Sequence, residues 1–107
     1  MPKYLLQVGY TPESFAAQIK NPQNRIQAVT PAIEKLGGKV ETAYYTFGKY
    51  DLVVILEFPD NTAAAAFAIS VAAGGALRAL KTTPLMTIDE GIKALKAAGG
   101  TGYKPAS

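Results

Sequence analysis

The segment Asp51 to Phe58 constrains this chain more than any other. It reads Asp-Leu-Val-Val-Ile-Leu-Glu-Phe, and Pro59 closes it. A run this short and this rich in β-branched and aliphatic residues is a strand. Successive side chains of a strand point to opposite faces. Leu52, Val54, Leu56 and Phe58 therefore share one face, and Asp51, Val53, Ile55 and Glu57 share the other. Tyr4 to Val8 is a second strand of the same kind, with Leu6 and Val8 opposed to Leu5 and Gln7. A sheet with one wet face alternates apolar and polar residues. Here large apolar side chains stand on both faces, so both need cover.

The remaining elements follow from their punctuation. Thr11 then Pro12 is a helix start, a capping oxygen followed by proline in the first turn, with Phe15 and Ile19 on one face behind it. Asn21-Pro22-Gln23-Asn24 breaks that helix. A second run carries Ile26, Val29, Ile33 and Leu36 at helical spacing, and Pro31 inside it should kink the helix or restart it at Thr30. Gly37-Gly38 is the stop. Val40 to Phe47 is a strand by composition, joined by Gly48-Lys49-Tyr50 to the strand that Asp51 opens. Asp60-Asn61-Thr62 caps a helix of nearly pure alanine with Phe67, Ile69 and Val71, ended by Gly74-Gly75. The alanines make a smooth surface that another element can approach, and they also have high helix propensity. Leu77 to Thr83 is a fourth strand, stopped by Pro84. Thr87 and Glu90 form a capping box before a short helix bearing Ile88, Ile92 and Leu95.

The order is β-α-β-β-α-β with an added terminal helix, the α+β ferredoxin-like arrangement. Residues 1–98 form one domain, and 99–107 a flexible tail. In that fold two helices cover one sheet face. The other face, apolar by the alternation above, calls for a second subunit packed sheet on sheet in a dimeric α/β barrel. The expected partner is thus the chain itself, as a dimer or higher oligomer.

Composition narrows the chemistry. The chain has no histidine and no cysteine, so it has no Ser-His-Asp or Cys-His pair, no imidazole proton shuttle and no disulfide. No metal constellation and no bound cofactor is expected, and a haem held by His or Cys is excluded. Net charge is +3, from 11 basic against 8 acidic residues, but the lysines are scattered and the arginines are only Arg25 and Arg78. A nucleic-acid footprint is usually clustered, so no nucleic-acid partner is expected. The most apolar stretch, Thr62 to Leu80, is interrupted by Ser70, Gly74-Gly75 and Arg78, so no membrane span is expected. The N-terminus lacks a signal-peptide core, which makes a cytoplasmic location the default.

Phe47-Gly48-Lys49-Tyr50-Asp51-Leu52-Val53-Val54 resembles the GYD family, whose signature is a Gly, Tyr and Asp at the hairpin between its second and third strands. Further matching pieces are Tyr10-Thr11 after the first strand, Arg25 opening the second helical run, Gly37-Gly38-Lys39, and Glu57-x-Pro59-Asp60. The resemblance runs from about Tyr4 to Thr87. It implies a ferredoxin-like subunit of the dimeric α/β-barrel superfamily. That superfamily includes cofactor-free monooxygenases, muconolactone-isomerase-like enzymes, haem-binding proteins and ligand-sensing modules. Fold does not carry function between them, and the histidine of several of those sites is missing here.

The candidate site is the polar set that interrupts the apolar strands. Asp51 either holds its turn through backbone N–H groups or serves as a general base. Tyr44 and Tyr45 are neighbours on a strand, so they face opposite ways, one towards the helices and one towards a partner or cavity. Tyr50 can donate into a pocket or pack over the sheet edge. Gln7, Asp51 and Glu57 share a face by parity and need partners when buried, and Arg78 is the expected partner of Glu57. Gln7, Tyr45, Tyr50, Asp51, Glu57 and Arg78 are therefore the candidate ligand-binding residues, for a small and mainly apolar molecule between two sheets, in a protein that otherwise serves as an assembly module. The alternative is a cofactor-independent monooxygenase- or isomerase-like enzyme, with Asp51 as base and Tyr45 or Tyr50 as donor.

Overall fold

A computed structural model describes residues 1–106. Strand β1 (Lys3–Tyr10) leads to helices α1 (Pro12–Lys20) and α2 (Arg25–Lys35). Strands β2 (Lys39–Tyr45) and β3 (Leu52–Glu57) follow, then α3 (Asn61–Ala73), β4 (Leu77–Leu85) and α4 (Ile88–Gly99). The four strands form one antiparallel sheet in the order β2-β3-β1-β4. This is the ferredoxin-like arrangement expected from the sequence.

The helix starts are built by the residues that announced them. Thr11 Oγ1 accepts from Ser14 N at 3.1 Å, and Asp60 Oδ1 from Ala63 N at 2.9 Å. Thr87 and Glu90 exchange side-chain and backbone bonds at 3.0 and 3.1 Å, completing the capping box. Asn24, read only as part of a break, is also a cap, accepting from Ile26 N and Gln27 N. Each such cap supplies donors' partners that the first helical turn lacks, a contribution of about 1 kcal/mol.

Strand β1 runs past Val8 to Tyr10, and three further boundaries differ from the sequence expectation. Helix α2 runs unbroken through Pro31 and does not restart at Thr30. Proline there deprives only the carbonyl of Gln27, an exposed residue whose oxygen water can satisfy. Strand β2 stops at Tyr45 rather than Phe47, because the chain closes early: Thr46 N donates to Asp51 O at 2.9 Å and Thr46 Oγ1 to Tyr50 O at 2.7 Å. Strand β4 continues through Pro84 to Leu85. It is an edge strand, where a missing N–H can face outward without breaking the ladder.

The core sits between the sheet and the helices. Tyr4, Leu6, Val8 and Tyr10 of β1 alternate with the outer residues, as do Leu52, Val54 and Leu56 of β3, and all are buried. Phe58 anchors one end, with Tyr4 edge-on at 6.1 Å and Phe67 at 5.8 Å between ring centres. The Tyr4 hydroxyl reaches Asn61 Oδ1 at 2.7 Å, so its burial leaves no orphaned polar atom. Gly37 ends the α2 connection at φ +79, and Gly38 then passes so close to Phe58 that a side chain has no room.

On the other sheet face no element of the described chain packs. Leu5, Val53 and Ile55 stand there, half-buried by their neighbours, and Tyr44 is exposed beside Val53. Helix α4 buries none of its residues, and Ile88 and Leu95 are largely exposed. The radius of gyration is 17.2 Å, against about 13 Å for a compact domain of this size. The chain is elongated, 58 × 34 × 22 Å, and its terminal helix is unburied. No helix among the described residues is long and apolar enough to cross a membrane.

Candidate functional site

The polar residues on the outer sheet face do not converge. Asp51 lies at one end of β3 and Glu57 at the other. The expected Glu57–Arg78 pair does not form. Glu57 is in register with Lys3 of β1, whereas Arg78 lies beside Gly9. Six residues of extended strand, roughly 20 Å, separate those two levels. Glu57 instead meets Lys39 Nζ at 3.5 Å and the N-terminal amine at 4.0 Å. Gln7 stands between these ends, level with Val53 and Lys81.

Arg78 belongs to Asp51. A bulge at Gly9 and Tyr10 lets the strand slip past β4, so Ala79 faces Gly9 and Leu77 faces Tyr10. The guanidinium of Arg78 lies flat against Gly9, where a β-carbon would come within 2.7 Å of it. From there it donates to Asp51 Oδ2 at 3.1 Å and to the carbonyl of Lys49 at 2.9 Å. The same carboxylate oxygen accepts the backbone N–H of Tyr10 at 2.9 Å. Asp51 thus ties the β2–β3 turn to the end of β1 and to β4. Tyr50 is half-buried beside it, with Lys49 Nζ 5.9 Å from its ring. Tyr45 faces the helix side, paired with Leu52, and lines an open groove with Gln23, Asn24 and Ile26.

A different set of residues encloses space. Between the sheet and the helices lies a cavity of about 270 Å³. Leu6, Val8, Leu52 and Val54 form its floor, and Ile26, Val29, Ile33, Phe67 and Val71 form its roof. Its mouth opens where Ser14, Arg25, Gly74 and Ala76 line both the cavity and a shallower surface groove. Tyr10 stands at the polar end, packed edge-on against Phe15 at 5.5 Å between ring centres. Burial pushes the Tyr10 phenol above its ordinary value, helped by nearby Tyr45 and Asp51, while the charge of Arg25 works against the rise.

None of Gln7, Tyr45, Tyr50, Asp51, Glu57 and Arg78 lines this cavity. Sequence reading missed Tyr10, Ser14 and Arg25 as pocket residues. One signal was available: Tyr10 has the parity of Leu6 and Val8, so it faces the helices. The cavity holds no group of three or more carboxylates, and no metal-binding cluster occurs among the described residues.

An antiparallel sheet in this strand order, with helices on one face over an apolar pocket, defines an α+β protein of the ferredoxin-like class. The GYD domain model matches residues 4–95, and the chain belongs to that family. The matched span takes in the sheet except Lys3 and most of α4, together with the Asp51 tie and every residue of the pocket. No curated protein matches the chain.

Proposed function

We propose that this protein is a homo-oligomeric α/β-barrel subunit that holds a small, mainly apolar molecule in the pocket between its sheet and its helices. The observation that carries the reading is the 270 Å³ cavity, walled by aliphatic and aromatic side chains and polar only at its mouth. Ligand sites are typically of this kind, apolar with a few convergent polar groups. This pocket lies on the helix side of the sheet, within a single chain.

The uncovered face supports the oligomeric part. Leu5, Val53 and Ile55 present apolar surface where a second sheet can pack, and α4 adds Ile88, Ile92 and Leu95. Face-to-face sheets bury such residues at a spacing of about 10 Å. The alternative reading, with Asp51 as a catalytic base, is weakened by geometry: its Oδ2 already has two donors and it does not line the cavity.

Native mass spectrometry of protein purified from its own host tests both parts together. A dimer or larger species carrying a small retained mass is the expected result. A monomer at micromolar concentration overturns the assembly. Protein with no retained mass, and no uptake of small aromatic probes on titration, overturns the pocket reading.

A further inference from the structure

We propose that the pocket takes a small carboxylic acid with a compact hydrocarbon body, its carboxylate held by Arg25 at the mouth. This rests on the pocket reading above and adds the chemistry of the ligand's head. Arg25 is half-buried and forms no ion pair among the described residues, whereas the half-buried carboxylates Asp51 and Glu57 both have a charged partner. Glu13 lines the adjoining groove, yet it makes no ion pair with Arg25 either. A guanidinium left without a counter-charge beside an apolar cavity is matched best by an anion, and its planar fork fits a carboxylate through two parallel hydrogen bonds.

Two hydroxyls stand with it. Ser14 Oγ accepts from Gln18 Nε2 at 3.1 Å, which leaves its own proton free to donate. The Tyr10 hydroxyl is beside Arg25, and burial keeps it protonated, hence a donor. Three donors at one end suit a carboxylate's two oxygens. A phosphate would draw on helix N–H groups, but those of Ile26 and Gln27 at the start of α2 are already taken by Asn24. The body of the ligand is set by the walls. A dry apolar cavity of about 150 Å³ accepts benzene, so about 270 Å³ has room for roughly eleven non-hydrogen atoms.

Phenylacetate, 3-phenylpropionate and 4-phenylbutyrate, each against its matching alcohol, test this by calorimetric titration of the full chain. The expected result is that the best acid binds at least about tenfold tighter than its alcohol, the size of a charge-assisted bond. Arg25→Gln should abolish that preference, weakening the acid by at least about tenfold and the alcohol by much less, with an unaltered circular dichroism spectrum showing that the variant folds. Arg25→Lys should restore part of it. Equal binding of acids and alcohols overturns the carboxylate assignment and leaves the pocket reading standing. Binding of neither series at 10 mM overturns both. A preference for acids that survives Arg25→Gln places the anion elsewhere and overturns the proposal.

Discussion

Removing the Asp51 carboxylate tests what the family's signature residue does in this chain. Asp51 Oδ2 is the acceptor for the N–H of Tyr10, a residue 5% exposed, and for Arg78 Nη2. In Asp51→Ala the Tyr10 N–H is buried without a partner, which costs about 1–3 kcal/mol. The ion pair adds little. The Arg78 side chain is 42% exposed, so its share is below about 1 kcal/mol. The sum is about 1–4 kcal/mol, or a fall in Tm of roughly 5–30 °C for a domain of this size. Asp51→Asn keeps an oxygen for Tyr10 N–H and should cost only about 1 kcal/mol. Arg78→Ala should cost less than that. Urea unfolding of the three variants, followed by far-ultraviolet circular dichroism, measures the series, and the double variant gives the coupling. Two results refute the reasoning. One is an Asp51→Ala variant within about 0.5 kcal/mol of the parent. The other is an Arg78→Ala variant as damaged as Asp51→Ala, which would place the energy in the ion pair rather than in the buried N–H.

Three further outcomes follow from the same geometry. Gly38→Ala sets a β-carbon 2.6 Å from the carbonyl oxygen of Glu57 and from a Phe58 ring carbon, neither of which can swing away; a loss of about 3 kcal/mol is expected in urea unfolding. Ile55→Glu puts a charge at the centre of the uncovered sheet face and should turn the proposed oligomer into a monomer, read by sedimentation velocity, while the circular dichroism spectrum stays unchanged. The raised Tyr10 phenol gives an alkaline limb to stability. Its contribution is fully present below the ordinary value near 10 and is lost as pH rises through the higher folded value, since the unfolded chain releases that proton first. Tyr10→Phe should flatten this limb in thermal melts recorded between pH 9 and pH 11, and an unchanged slope would show that Tyr10 does not cause it.

The sequence by itself determined most of what rests on local chemistry, the Asn24 cap being the exception. Thr11-Pro12, Asp60 and Thr87 with Glu90 start the helices they announce, because a cap acts within three residues of itself. Strand parity named the buried residues of β1 and β3, because a strand's side chains alternate whatever surrounds it. The apolar second face was legible for the same reason. The partner of Arg78 was not. It depends on a bulge at Gly9 and Tyr10 and on the seat that Gly9 offers for lacking a side chain. Strand pairing sets such contacts across 27 residues, and nothing local encodes the register. The pocket was decided further from the sequence still. Tyr10, Arg25 and Val71 meet only when two crossovers lay their helices on the same sheet face, and an enclosed volume is a property of how those layers pack, not of any one of them.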